Sequence, residues 1–287
     1  MKHRGLFISQ LVFTLFVCAF LIVPVILSAL AGVTENFFLG IKSGLTFRWI
    51  GEVLNLYVDT IYLSLMIAVA CLAVTLIIGL PAAYVLSRIG GRTARFIEET
   101  IVLPVAVPGL AIALALIIMY GGFRDFRSSW AFILVGHVLY TLPFMVRSVL
   151  AVLSSMNFRE LEEGAASLGA SFWQRFWTVV LPNAKPGILA GSLMVVTLSV
   201  GEFNLTWMLH TPVTKTLPVG LADSYASMRL EVASAYTLVF FVMIVPLLIA
   251  MQMLSRDSKQ NQKVMEDLPS DKNFQVSDRP NMRNTEA

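Results

Sequence analysis

Two ionisable side chains lie within long apolar runs, where a charge is costly and therefore marks a functional candidate. Glu202 precedes the outer end of one run, and His137 follows the outer start of another. At a rise of ~1.5 Å per residue, both side chains are placed roughly 10 Å inside the membrane, measured from its extracytoplasmic surface. There they would face each other or a shared polar path, with Asn204 and Asp59 as weaker candidates for that path. The alternative is a purely structural hydrogen-bonded pair.

Motifs for catalysis are missing from the sequence. An intramembrane protease needs a nucleophile paired with a base, or paired aspartates, and neither a Gly-x-Ser-x-Gly motif nor a paired-Asp motif occurs. The two cysteines, Cys18 and Cys71, lie in apolar runs, and no Cys/His spacing indicates a metal site. A phosphate-binding glycine loop with its lysine and basic patches for nucleic acid are also missing. We therefore expect no catalytic residue, metal or cofactor on this chain.

Composition indicates a membrane protein. The 287 residues are 57% hydrophobic and 14% charged, with a mean hydropathy of +0.76. A helix crosses the ~30 Å hydrocarbon core of a bilayer with about 20 apolar residues. The first apolar run is too long for a signal-peptide core and has no clear cleavage site, so we expect it to be retained as a span. The pattern predicts six spans, at about 6–31, 58–86, 101–121, 130–153, 187–209 and 233–254.

Most of the 21 lysines and arginines fall on the side of the membrane that holds the N-terminus. The positive-inside rule then places both termini in the cytoplasm. We divide the chain into an N-terminal span with its outer loop (1–54), a membrane core (55–254) and a polar tail (255–287). The tail has too few apolar residues to bury a core, so we expect it to be disordered.

Residues 157–182, between the fourth and fifth spans, predict a helix–turn–helix on the cytoplasmic side. Asn157 and Glu160 have the spacing of a helix N-cap and its reciprocal partner, as do Ser171 and Gln174. Gly169 falls where a helix ends in a left-handed residue. The prolines at 182 and 186 are predicted to end the second helix before the next span begins at Gly187.

The same stretch carries a recognisable motif. It runs Glu163-Gly164-Ala165, three residues, Gly169, nine residues, then Val179-Val180-Leu181-Pro182. This resembles the EAA loop of ABC-importer permeases, whose pattern is Glu-Ala-Ala, three residues, Gly, nine residues, then Ile-x-Leu-Pro. Gly164 and Val179 depart from that pattern but keep its small or β-branched apolar character. The motif also lies in the penultimate cytoplasmic loop, as in that family.

The resemblance implies an all-α membrane protein with six transmembrane helices and a cytoplasmic coupling helix–turn–helix, the fold of type I importer permeases. It implies a bacterial inner-membrane location. In such permeases the coupling helix sits in a groove of an ATPase subunit, so ATP is bound and hydrolysed on another chain. The residues that would take part in coupling are Glu163, Gly164, Ala165, Gly169, Leu181 and Pro182.

The resemblance also implies two ATPase subunits, a second permease (a similar chain or this one again), an extracytoplasmic solute-binding protein and contact with membrane lipid. The residues around Gly201-Glu202-Phe203 look closest to the spermidine/putrescine, ferric-iron and phosphonate or oxyanion branch. A polyamine is the favoured solute because the acidic Glu202 would suit a cation, with ferric iron, phosphonate or another oxyanion as alternatives. A secondary transporter that works without ATP is the alternative class.

Overall fold

The structure is a computed structural model that describes the backbone of residues 2–155 and 158–266 and the side chains of residues 6–155 and 158–253. Within these residues the β structure is limited to an isolated bridge between Thr34 and Leu45. The helices are α1 (Lys2–Ala31), a short 3₁₀ helix (Gly40–Ser43), α2 (Arg48–Leu56), α3 (Val58–Ile89), α4 (Gly91–Ala106), α5 (Gly109–Tyr120), α6 (Arg124–Arg127), α7 (Trp130–Ser155), α8 (Phe158–Ser167), α9 (Phe172–Arg175), a π turn (Phe176–Val180), α10 (Leu181–Gly201), α11 (Asn204–Leu209), α12 (Leu217–Ala226) and α13 (Leu230–Glu266).

In the described part of the chain, five helices are long and apolar enough to cross a bilayer, and a bent pair makes a possible sixth. The all-α architecture predicted from the sequence is therefore confirmed. The predicted span at 101–121 is wrong as a single straight helix, because α4 and α5 meet at an angle of 98°. Val107 adopts an extended backbone (φ −89°, ψ 132°), as expected of a residue that precedes proline.

The predicted fifth span, 187–209, is displaced. An apolar helical run continues from Phe172 through the π turn to Gly201, and the chain breaks at Glu202 before α11 begins. Pro182 does not end the helix because it lies in the first turn of α10, where the missing N–H of a proline is not needed. Pro186 lies inside α10, and membrane helices tolerate such a proline when neighbouring helices cover the freed backbone groups.

Helix α7 lies at the centre of the core, packed against α3 and α10. Buried residues at this contact include Met145 and Val149 on α7, Cys71 on α3 and Val195 on α10. At Gly187 a Cβ would lie 2.6 Å from the backbone oxygen of Ser148, so only glycine permits this approach of α10 to α7. Small residues at helix contacts are the usual device for close packing in membranes.

A second contact region, with polar groups at its edge, lies where α3 and α13 begin. Helices α2 and α12 pack against the start of α13 around Val53, Leu217 and Tyr236. Arg229, just before α13, donates hydrogen bonds to Glu52 and to the Tyr57 hydroxyl. The Glu52 carboxylate raises the pKa of the Arg229 guanidinium, which favours its charged form.

The two ends of the chain differ from the core. The apolar window of α1 has none of its residues buried within the chain. At the other end, α13 continues to Glu266, so residues 255–266 of the segment expected to be disordered are helical. This stretch has no glycine or proline, and a helix already formed extends readily through such residues. Residues 267–287 lie outside the described residues, and the boundary at residue 54 stays a prediction.

Candidate functional site

The loop between α7 and α10 forms the predicted helix–turn–helix, which we call the elbow (residues 158–182). Helix α8 ends at Ser167, and in the turn that follows Gly169 has a φ of +87°, the left-handed conformation predicted for it. The N–H of Gly169 donates to the Ala166 carbonyl and the N–H of Ala170 to the Ala165 carbonyl, closing the last turn of α8. The predicted N-cap at Asn157 lies outside the described residues.

The second helix of the elbow begins at the predicted capping box. The Ser171 N–H donates to Gln174 Oε1 over 2.8 Å, and the Gln174 N–H donates to Ser171 Oγ over 3.4 Å. Aromatic rings then follow one another, with Phe172 stacked on Phe176 at 6.3 Å between ring centroids. Trp173 and Trp177 each contact Phe176 by their edges and remain exposed. The elbow is therefore well defined locally and presents apolar surface outward.

Most of the predicted coupling residues lie on the outer surface of the elbow. Glu163 is exposed and forms an ion pair with Arg159, one helical turn away, at 2.9 Å. Leu168, between the motif glutamate and Gly169, is 90% exposed. Gly164, Gly169 and Pro182 are also exposed, whereas Ala165 and Leu181 are half-buried. Four of the six predicted coupling residues are therefore accessible, and their role in coupling stays a prediction.

Glu162 is a functional candidate that the sequence analysis missed. Its side chain is completely buried, in contrast to the neighbouring Glu163. Tyr84 of α3 donates a hydrogen bond to Glu162 Oε1 over 2.7 Å, and guanidinium groups of Arg88 and Arg175 lie 3.5 and 3.4 Å from the same oxygen. The sequence did carry one signal: Phe158, an apolar residue four positions earlier, shares the helical face of Glu162.

The candidates in the membrane, His137 and Glu202, are close but do not bond directly. His137 Nε2 lies 4.0 Å from Glu202 Oε2, and the Thr206 hydroxyl lies 2.8 Å from both. A carboxylate only accepts, so Thr206 donates to Glu202 and accepts from the Nε2–H of His137. The His137 Nδ1 then accepts from the Ser199 hydroxyl, 2.9 Å away. These four side chains form one hydrogen-bonded network, in which His137 is only 1% exposed.

Glu202 does not lie in mid-helix, as the predicted fifth span implied, but at the break between α10 and α11. Its Oε1 accepts from the Leu205 N–H and its Oε2 from the Thr206 N–H, both over 2.9 Å. The first N–H groups of a helix have no partner within the helix, and this carboxylate supplies one. Both oxygens of Glu202 are therefore used in holding α11.

Asn204 lies beside Glu202 in the lining of a cavity of about 240 Å³, together with Tyr140, Thr197 and Phe203. Asp59 is exposed in the first turn of α3 and does not line this cavity. Of the four predicted path residues, the structure thus groups His137, Glu202 and Asn204 and leaves Asp59 apart.

Replacing Thr206 by valine is expected to lower the free energy of unfolding by about 1–3 kcal/mol, because His137 and Glu202 then lose a buried partner without a change of side-chain shape. Thermal unfolding of the purified chain in mild detergent measures the effect. Thr197→Val is the matched control, since the Thr197 hydroxyl bonds only to the Leu193 carbonyl one turn earlier. Equal melting temperatures for the two variants would contradict the network.

Packed spans with two interrupted helices and an elbow held outside them define a membrane permease subunit. Residues 75–260 match the family described as the binding-protein-dependent transport system inner membrane component, and the chain belongs to this family. It is therefore a multi-pass membrane component of the ABC importer class.

Relatives and structures agree with this assignment. The chain is 26% identical to the sulfate transport system permease protein CysW of Synechocystis, over 85% of this chain and 92% of that one. It is 29% identical to the molybdenum transport system permease protein ModB of Haemophilus influenzae, over 57% and 78%. The crystal structure of a bacterial ABC transporter involved in alginate import shares the fold, with a TM-score of 0.69 at 16% identity over 89% of this chain and 96% of that chain.

Proposed function

We propose that this chain forms half of the translocation path of an ATP-driven importer for a small oxyanion, and that its elbow receives the ATPase subunit. The observation that carries the proposal is the elbow itself. It presents an almost fully exposed leucine, Leu168, directly after helix α8, which is itself anchored by the buried side chains of Phe158 and Glu162. An exposed apolar side chain such as Leu168, on a well-packed element outside the spans, suits a protein partner. Covering it with a partner contributes binding free energy.

The remaining partners follow from the same reasoning. The family is binding-protein-dependent by description, which supports delivery of the solute by an extracytoplasmic binding protein. Helix α1 has none of its apolar window buried within the chain, which leaves it for lipid or for a second permease. With the N-terminus in the cytoplasm, the elbow also lies on the cytoplasmic side, where an ATPase subunit would meet it.

An oxyanion is favoured over a polyamine as the solute. CysW and ModB carry sulfate and molybdenum in their names, and the preference for a polyamine has no support from these relatives. That preference rested on a free carboxylate at Glu202, whose two oxygens are instead occupied by α11 and Thr206. Glu202 itself lines the adjoining cavity, together with neutral residues that can donate to an anion, Tyr140 through its hydroxyl and Asn204 through its amide.

Affinity purification of the chain from mild-detergent membranes tests the assembly. We expect a nucleotide-binding subunit to co-purify and the sample to hydrolyse ATP. Recovery of the chain alone, together with solute transport that needs no ATP, would instead support the secondary-transporter alternative.

Uptake measurements test the solute. In the native host, deletion of the gene for this chain is expected to reduce uptake of radiolabelled sulfate or molybdate to background, with spermidine uptake unchanged. Complementation with the wild-type chain should restore uptake. Loss of spermidine uptake with normal sulfate and molybdate uptake would instead make a polyamine the favoured solute.

A further inference from the structure

Glu162 connects three elements through one oxygen atom. Its Oε1 accepts from Tyr84 and faces Arg88, both at the inner end of α3, and it also faces Arg175 on α9. Glu162 itself belongs to α8. The tip of the elbow is thereby tied to a membrane span that is distant from it in sequence.

Glu162 and Tyr84 are shielded from solvent in this link, whereas Arg88 keeps 39% of its side chain exposed. The ring of Tyr84 packs against those of Phe158, Phe172 and Phe176, each with its centroid 6.2 Å from that of Tyr84. The Glu162 side chain has no exposed surface. Interactions between charges are screened much less in such a setting than at an exposed pair such as Arg159 and Glu163.

The hydrogen bonding between Glu162 and Arg175 is incomplete, which selection for stability alone would not favour. Glu162 Oε2 and Arg175 Nε are both buried and have no hydrogen-bond partner among the described residues. Buried polar atoms of this kind are rare because each lowers stability. Residues that keep them are candidates for a functional role.

Helix α8 has little else to connect it with α3. Its main packing is against α9 and the π turn, which belong to the elbow and the start of the next span. The Phe158 ring, buried in the apolar core beside Tyr84, joins α8 to α3, and the polar contact at Glu162 adds a second link.

We propose that Glu162 is the positioning residue that passes a displacement of the elbow to α3. The inference rests on the proposed function, in which an ATPase subunit moves the elbow. Because Glu162 joins α8 to α3 inside an aromatic enclosure, the two move as one body. Without the charge on Glu162, α8 rotates relative to the segments that flank it. The displacement of the elbow then does not reach the spans.

The test uses Glu162→Gln in the complete complex, reconstituted in lipid. Glutamine keeps the shape and an acceptor for Tyr84 but removes the charge that faces the two arginines. We expect the ATPase subunit to stay bound and ATP hydrolysis to continue. The solute carried per ATP should fall at least about fivefold, the low end of typical coupling between sites. Glu99→Gln, an exposed carboxylate of α4, is the matched control and should leave this ratio unchanged.

A distance measurement separates transmission from simple support of the fold. Spin labels are placed at residues 89 and 167, exposed at the ends of α3 and α8, in a Cys18→Ser background that removes the exposed native thiol. The wild-type distance should be narrow and unchanged by ATP. In Glu162→Gln it should broaden.

Three results would contradict the proposed role of Glu162. The first two are an unchanged ratio of transport to ATP hydrolysis and an unchanged distance distribution in Glu162→Gln. The third is a variant that no longer binds the ATPase subunit and also melts at a lower temperature, which would make Glu162 a structural support only. If the wild-type chain recovers no ATPase subunit, the proposed function fails separately. The distance distribution of the chain alone then still decides whether Glu162 links α8 to α3.

Discussion

Replacement of Gly169 by valine is expected to abolish transport while leaving the spans folded. The residue has a φ of +87°, and an added Cβ would meet no atom within 4 Å. Space is therefore not limiting, and the penalty is conformational, about 1–2 kcal/mol or more for a β-branched residue in the left-handed region. The chain can avoid that cost by moving φ to negative values, which redirects α8 and carries Leu168 away from its position.

The measurement is recovery of the ATPase subunit with the tagged variant, together with solute uptake. Gly40→Val is the matched control, because Gly40 also has a positive φ of +55° and open surroundings but lies between α1 and α2 in the chain. Gly169→Asn should retain more activity than valine, since asparagine tolerates the left-handed region. If valine at 169 and at 40 had equal effects on uptake, backbone strain rather than the elbow would be responsible.

The second large effect is expected at Gly187, where valine should prevent stable packing of α10 on α7. A Cβ there would lie 2.6 Å from the Ser148 carbonyl oxygen and 2.9 Å from the Val149 Cα, both backbone atoms that cannot rotate away. The two helices must separate, which also breaks the 2.9 Å hydrogen bond from the Ser148 hydroxyl to the Gly187 carbonyl. Overpacking of this kind costs about 1–3 kcal/mol or more.

Thermal unfolding and the yield of folded chain in mild detergent measure this loss. Gly201→Ala is the control within the same helix, because a Cβ at Gly201 has no atom within 4 Å. We expect Gly201→Ala to unfold at the wild-type temperature and Gly187→Val to unfold far below it. A Gly187→Val chain as stable as the control would show that α10 and α7 can adjust, and that the close approach is not required.

The spans and the elbow could be predicted because their signals are local. Apolar runs determine which helices enter the membrane, and the box formed by Ser171 and Gln174 and the turn at Gly169 are set by residues a few positions apart. The break at Val107 also had a local signal, the proline that follows it. It was missed because the apolar composition continues across it.

The break at Glu202 and the burial of Glu162 could not be predicted in the same way. An apolar run gives no sign that α10 stops at Gly201, because the stop depends on the Glu202 side chain replacing a turn of backbone hydrogen bonds at the start of α11. Glu162 and Glu163 are chemically identical neighbours. Only the fold, which brings Tyr84 and Arg175 to one side of α8, distinguishes the buried carboxylate from the exposed one.

The two interrupted helices have a consequence for the dielectric environment of the membrane core. Helix α5 begins after one break and α11 after the other, and the two pack against each other through Leu116 and Leu205. Backbone groups freed at a break cannot face lipid and are tolerated only beside protein or water. The backbone groups freed at these breaks therefore belong beside protein or water and not in contact with lipid. They make the surroundings of the contact between α5 and α11 more polar than those of an uninterrupted helix pair, and a buried charge costs less free energy where polar groups can solvate it.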